Sequence, residues 1–94
     1  MALREYELMY IVRPTVAEDA LPASIERVDS LITGLGGEIA ENNAWGKRRL
    51  AYPIEKFEEG YYIVSKIRME PERTRDLESQ LAISEEVMRH ILVV

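Results

Sequence analysis

The sequence predicts an α+β domain in which two helices cover one face of a four-stranded antiparallel sheet, in the order β-α-β-β-α-β. Three observations predict this split βαβ arrangement. Four segments have the alternating or continuous apolar residues of strands, two have apolar residues at the spacing of helices, and glycine or proline lies between them. Ninety-four residues suit one domain, which we expect to span residues 1–94.

The first strand is predicted from Glu5 to Val12. Alternation places Tyr6, Leu8, Tyr10 and Val12 on one face, and Glu5, Glu7, Met9 and Ile11 on the other. Arg13-Pro14 ends the strand, because proline has no amide proton to give to a sheet ladder.

The first helix is predicted between Glu18 and Leu35. Its apolar residues recur every three or four positions and form one stripe: Leu21, Ile25, Val28, Leu31, Ile32 and Leu35. Glu18 and Asp19 suit the positive end of the helix dipole, and Pro22 falls in the first turn, where a missing N–H costs little. The glycine-rich run 34–37 ends the helix.

The second and third strands are predicted to form a hairpin. The second runs from about Glu38 to Tyr52 and ends at Pro53, and Gly46 in its middle predicts a bulge or a bend. The polar segment 55–60 is predicted to be the loop. The third strand, Tyr61–Met69, places Tyr61, Ile63, Ser65, Ile67 and Met69 on one face.

Glu70-Pro71-Glu72 begins the second helix, whose buried side is marked by Leu77 and Leu81. A turn at 84–86 precedes the fourth strand, Val87–Val94, which is strongly apolar. In this order of elements the first and third strands are central and the other two are edges. The sheet face opposite the helices is then free for a partner.

Composition excludes several kinds of chemistry. The chain has no cysteine, so disulfides and thiolate catalysis are excluded, and no apolar run is long enough for a signal peptide or a membrane span. His90 is the only histidine, which excludes the usual Ser-His-Asp triad and multi-histidine metal sites. We therefore expect a cytoplasmic protein with no cofactor, no metal, no small-molecule substrate and no membrane partner.

Charge is distributed unevenly in a chain whose net charge is -5. Lys47, Arg48 and Arg49 are consecutive, whereas acidic residues are concentrated in the segment 18–29. Arginine and lysine suit phosphate oxygens, although charges on a solvated edge strand can also serve only to prevent aggregation. Trp45 and Tyr52 flank the basic triplet, and each is either a core residue or an aromatic ring on which an unpaired base could stack.

The run Arg-Arg-Leu-Ala-Tyr-Pro-Ile at 48–54, followed by Gly60-Tyr61-Tyr62, closely resembles the signature of the bacterial small-subunit ribosomal protein S6 family. The opening at 4–7, with Arg13-Pro14 after it, and the ending at 87–94 are similar to the same family. The resemblance extends over essentially the whole chain.

The resemblance implies a ferredoxin-like fold, no catalysis, and a place on the platform of the small subunit. It further implies binding to the central domain of 16S ribosomal RNA as a cooperative pair with the eighteenth small-subunit protein, S18. The rRNA-binding residues expected from the family are Arg4, Lys47, Arg48, Arg49, Tyr52 and Arg89. A protein-partner surface is expected to include Trp45, Tyr61, Tyr62 and His90.

Two other functions of ferredoxin-like domains remain open at this point. A regulatory module that senses a small molecule would be a homodimer, so its size in solution would identify it. An acylphosphatase-like enzyme needs an arginine in a phosphate-cradling loop after the first strand. Arg13 lies in that region, but Pro14-Thr15 follows it in place of a glycine-rich cradle, and a phosphatase assay would decide.

Overall fold

The structure, a computed structural model, describes residues 3–94; Met1 and Ala2 of the expected domain lie outside the described residues. The strands are β1 (Arg4–Val12), β2 (Glu38–Ile54), β3 (Phe57–Met69) and β4 (Val87–Val93), and the helices are α1 (Leu21–Gly34) and α2 (Thr74–Ile83). One turn of 3-10 helix precedes each α-helix, at Glu18–Ala20 and Pro71–Arg73. The predicted β-α-β-β-α-β order is confirmed. Neither helix within 3–94 is long and apolar enough to cross a membrane.

The four strands form one antiparallel sheet in the order β2-β3-β1-β4. The central positions of β1 and β3 and the edge positions of β2 and β4 are therefore as predicted. Along β1 the register runs from Arg4 opposite Met69 to Val12 opposite Tyr61. This register fixes which residues of the hairpin lie near each end of the sheet.

The hydrophobic core lies between one face of the sheet and both helices. The four residues that alternation placed on one face of β1, Tyr6, Leu8, Tyr10 and Val12, are all buried in it. From α1, Leu21, Val28 and Ile32 are buried in the same cluster. The only buried residues of α2 are Leu77 and Leu81, both with 0% exposure, so these two side chains hold this helix on the sheet.

The turn of the β2–β3 hairpin differs from the prediction. It consists of Glu55 and Lys56, whose φ angles of 49° and 73° are those of a type I′ turn, and Ile54 pairs directly with Phe57. The predicted loop over 55–60 is therefore wrong for 57–60, which are the first residues of β3. The two polar residues of this part of β3, Glu58 and Glu59, are both exposed, so the strand can carry them without burying a charge.

Proline at position 53 does not end β2, which continues to Ile54. The register shifts between Arg49 and Ile54, so Pro53 lies in an irregular stretch where β2 has no regular pairing with β3. Because β2 is also an edge strand, the missing N–H of Pro53 costs no regular ladder bond.

A chain of polar groups connects β3, β2 and α1 beneath the helix. The Ser65 hydroxyl donates to Asn42 Oδ1, and Asn42 Nδ2 donates to Asp29 Oδ2 at 2.8 Å. The hydroxyl of Tyr10 and Oδ1 of Asp29 are buried and have no hydrogen-bond partner within 3–94. Burial raises the pKa of Asp29, and the hydrogen bond from Asn42 opposes that shift. Burial, with a contribution from the Asp29 charge, raises the pKa of Tyr10, which therefore remains neutral.

The substitution Asp29→Asn should stabilise the protein at neutral pH. Burial raises the pKa of Asp29 in the folded state, so folding favours the protonated carboxyl. The protonated side chain therefore contributes to the stability of the fold, and this contribution is lost as the pH rises through the folded-state pKa. An amide has no such proton to lose. In urea unfolding from about pH 3 to about pH 7, the variant's advantage in free energy of unfolding should grow with pH. A difference that stays constant with pH would contradict this prediction, and Asp19→Asn at an exposed position is the control.

Candidate nucleic-acid interface

The basic triplet lies on the exposed edge strand β2, close to the hairpin turn. Lys47, Arg48 and Arg49 are all exposed, and none forms an ion pair with a carboxylate of residues 3–94. Glu59, the cross-strand partner of Arg49, also does not form an ion pair with it. These three cations are therefore available to an external anion.

A β-bulge positions Trp45 beside the triplet. The register shifts between Ala44 and Gly46, which leaves Trp45 as an extra residue, and Gly46 takes a φ of +84°. The bulge predicted at Gly46 is confirmed. Trp45 is 49% exposed, so it is a surface residue and not a core residue.

Arg48 is held against Trp45 by two contacts. Its guanidinium carbon lies 5.7 Å from the centroid of the indole ring, and its Nε donates to the Trp45 carbonyl oxygen at 3.2 Å. The cation–π contact and the hydrogen bond fix the guanidinium beside the ring. Its two terminal nitrogens remain free of ion pairs with the residues that the structure describes.

A second pair of an arginine and an aromatic ring joins β4 to the end of β2. The Arg89 guanidinium lies 5.6 Å from the centroid of the Tyr52 ring, and Arg89 Nη1 donates to the Tyr52 hydroxyl. Tyr52 is 55% exposed and is thus another surface aromatic. The hydrogen bond ties its hydroxyl to Arg89 while the ring stays accessible.

Five of the six residues predicted to bind rRNA lie toward the same end of the sheet. We call them the basic rim: Lys47, Arg48, Arg49, Tyr52 and Arg89. Lys47 is opposite Tyr61, which is opposite Val12 of β1, and Arg89 is opposite the preceding residue Ile11. The register therefore places residues from β2 and β4 around the carboxyl end of β1.

Arg4 is not part of the basic rim. It begins β1, eight residues before Val12, or about 26 Å away at the ~3.3 Å rise of a strand. At that end of the sheet Arg68 is ion-paired with Glu5 at 3.5 Å and with Glu38 at 3.8 Å. The positive charge of Arg68 is thus neutralised by carboxylates, whereas the cations of the basic rim have no such partner within 3–94.

The sheet face opposite the helices carries an apolar groove beside the basic rim. Its volume is about 150 Å³, and its apolar lining includes Met9, Ile11, Leu50, Tyr62 and Ile91, with Tyr52 and Arg89 at its border. The sequence predictions did not include four of these residues. Met9 and Ile11 did carry a signal, because alternation places these two apolar residues on the same face of β1.

The four residues predicted for a protein partner do not form one surface. Tyr62 lies in the groove and Trp45 beside the basic rim. Tyr61 is a core residue with 5% exposure. The Lys47 ammonium lies 5.4 Å from the centroid of its ring. His90 is among the residues that line the groove, but its imidazole is directed to the helix side of β4, where Nε2 lies 3.3 Å from Glu78 Oε1 of α2.

Arg13, considered as the arginine of a phosphate cradle, is engaged elsewhere. Its Nη2 donates to Glu55 Oε1 at 2.6 Å, which ties the end of β1 to the hairpin turn. Within 3–94 no group of three or more acidic or histidine side chains is arranged to hold a metal ion. The described residues therefore offer exposed cations and aromatic rings to a binding partner.

Comparisons with known proteins point to one family. The family model described as ribosomal protein S6 matches residues 5–94. Small ribosomal subunit protein bS6 of Fusobacterium nucleatum is 41% identical over 91 residues, covering 97% of each chain. The protein of the same name from Carboxydothermus hydrogenoformans is 42% identical over 91 residues, covering 97% of this chain and 95% of the relative. The crystal structure of 30S ribosomal protein S6 from Thermotoga maritima superposes with a TM-score of 0.89 at 33% identity, covering 96% of this chain and 85% of that one.

Proposed function

This chain belongs to the ribosomal protein S6 family, and we propose that it binds the central domain of 16S ribosomal RNA as a pair with the small-subunit protein S18. Its role is structural and non-enzymatic, as a component of the small ribosomal subunit in the cytoplasm. To that family role we add the RNA partner, the protein partner and a position on the platform of the subunit.

The observation that carries the RNA proposal is the basic rim. In a chain of net charge -5, the exposed cations of the rim have no carboxylate partner within 3–94. Arginine binds phosphate through paired N–H groups, and lysine adds a point charge. Polyanion binding at the rim would neutralise repulsion among these neighbouring cations. The acidic remainder of the surface would keep RNA away from other faces.

The apolar groove supports the protein half of the proposal. Met9, Tyr62 and Ile91 expose apolar surface on a sheet face that neither helix covers. The net negative charge of the chain suits a basic protein neighbour, which would also supply phosphate neutralisation. Tyr52 and Arg89 belong to the basic rim and also line the groove. The RNA would therefore order residues that S18 contacts, and S18 would order residues that the RNA contacts. Such mutual ordering makes binding of the two partners cooperative.

The substitution Ile91→Glu should reduce the pairing with S18 by about tenfold or more, because it places a carboxylate in a desolvated apolar contact. Ile91 is 46% exposed on β4, so the free protein should still fold. The matched control is Ile83→Glu on α2, where the side chain is 76% exposed on the helical side. Tagged wild-type and variant chains would be expressed in a bacterium, and S18 and small-subunit particles would be measured in each purified sample.

Wild-type protein and Ile83→Glu should carry S18 and small-subunit particles, whereas Ile91→Glu should carry much less S18. Equal S18 recovery by the two variants would remove the groove from the proposal. A wild-type chain that purifies alone as a homodimer would contradict the ribosomal partners and favour the regulatory module.

A further inference from the structure

We propose that the basic rim binds unpaired nucleotides, and that the exposed rings of Trp45 and Tyr52 are two platforms on which bases stack. This inference rests on the proposed function and specifies the class of RNA. It moves Trp45 from the expected protein-partner surface to the RNA-binding surface.

Trp45 has the geometry of such a platform. The bulge at Gly46 takes it out of the regular ladder, and about half of its surface is exposed. The hydrogen bond from Arg48 Nε to the Trp45 carbonyl places a guanidinium at the ring while leaving its terminal nitrogens for a phosphate. One nucleotide can therefore be bound by its base on the indole and by its phosphate on Arg48.

Tyr52 repeats this arrangement with a residue from another strand. Its ring is 55% exposed, and Arg89 both lies over the ring and donates to the hydroxyl. The tied hydroxyl limits rotation of the side chain, so little further ordering is needed when a base stacks on it. Two pairs of an aromatic ring and an arginine thus flank the phosphate-binding cations of β2.

Unpaired RNA fits these features better than the two alternatives. In a duplex the faces of the bases are stacked on one another, and A-form RNA offers side chains mainly 2′-hydroxyls and phosphates. A protein partner has no requirement for ring faces placed beside uncompensated guanidinium groups. Single-stranded nucleic acids use this combination, since every base has a π-face and every nucleotide a phosphate.

Trp45 is the only tryptophan of the chain, so its fluorescence reports on this site directly. The full-length protein would be titrated with an unstructured RNA oligomer, with a fully paired duplex of the same length, and with S18 alone. Trp45→Phe would serve as the fluorescence blank where S18 is present. RNA affinity would be measured separately, by filter binding, for the wild type, Trp45→Leu, Trp45→Phe and Tyr52→Leu.

Unpaired RNA should quench Trp45 strongly and the duplex should not. Trp45→Leu and Tyr52→Leu should each lose between about fivefold and about 150-fold in affinity for unpaired RNA, while Trp45→Phe should retain most of it. Fluorescence that stays unchanged at saturating RNA would overturn the inference while leaving rRNA binding intact. Quenching by S18 alone would overturn it in favour of a protein contact. Failure of the wild type to bind any RNA would overturn both this inference and the proposed function.

Discussion

The double substitution Arg48→Ala with Arg49→Ala should weaken binding to the central domain of 16S rRNA by about tenfold or more at physiological salt. It should also lower the slope of log affinity against log salt concentration by about two, one for each lost phosphate contact. Both side chains are exposed and have no ion pair within 3–94, and the contacts that Arg48 makes with Trp45 lie at the surface, so the free energy of unfolding should fall by no more than about 1 kcal/mol. The measurement is filter binding over a series of salt concentrations, in the presence of S18.

The control for this experiment is Arg73→Ala with Arg75→Ala, which removes the same charge from the exposed side of the second helical segment. Arg73 is ion-paired with Asp76 at 3.3 Å, so a carboxylate partly neutralises the positive charge in this region, unlike at the basic rim. The control should bind RNA with an affinity and salt slope close to those of the wild type. If both double variants lose the same RNA affinity and the same salt slope relative to the wild type, the net charge of the chain governs binding, and the basic rim does not.

The substitution Leu81→Ala should lower the free energy of unfolding by about 2 to 5 kcal/mol. Leu81 has 0% exposure and is one of only two buried residues of α2, so a cavity there weakens the attachment of the whole helix. Since small domains have only about 5 to 15 kcal/mol of stability, the loss should be visible as an early urea transition. Incorporation into small-subunit particles should fall with it.

The matched control is Ile83→Ala, two positions further along the same helix, where the side chain is 76% exposed. Both substitutions put alanine into the same helix, so they differ mainly in buried surface. The control should change the free energy of unfolding by no more than about 0.5 kcal/mol. Comparable losses in the two variants would mean that α2 is not held by its two leucines.

Much of the fold could be predicted from local patterns. Alternation placed Tyr10 and Met9 on opposite faces of β1, as the structure has them, and Gly46 predicted a bulge or a bend where the bulge lies. The hairpin turn could not be predicted in the same way. The run Phe57-Glu58-Glu59-Gly60 looks like part of a loop in sequence, yet pairing with β2 makes these residues strand residues. Pairing between strands is a tertiary interaction that local propensity does not contain.

The candidate site also combines features that the local sequence predicts with features that only the strand pairing sets. The basic triplet was visible as three consecutive residues, and its exposed position on an edge strand follows from the element order. The contact of Arg89 with Tyr52 joins residues far apart in sequence, so no local pattern could predict it. Arg4 belongs to the same expected set, but the register of β1 puts it at the opposite end of the sheet from the basic rim.

By itself the sequence determined the element order, the division of β1 and β3 residues between two faces, and the presence of a run of cations in an acidic chain. Periodicity and composition are local properties, and they suffice for these results. Only the tertiary structure decided that Trp45 is exposed, that Tyr61 is buried, that His90 faces α2, and that Tyr52 meets Arg89. Each of these depends on strand register, which is set by packing and hydrogen bonding between residues distant in the chain.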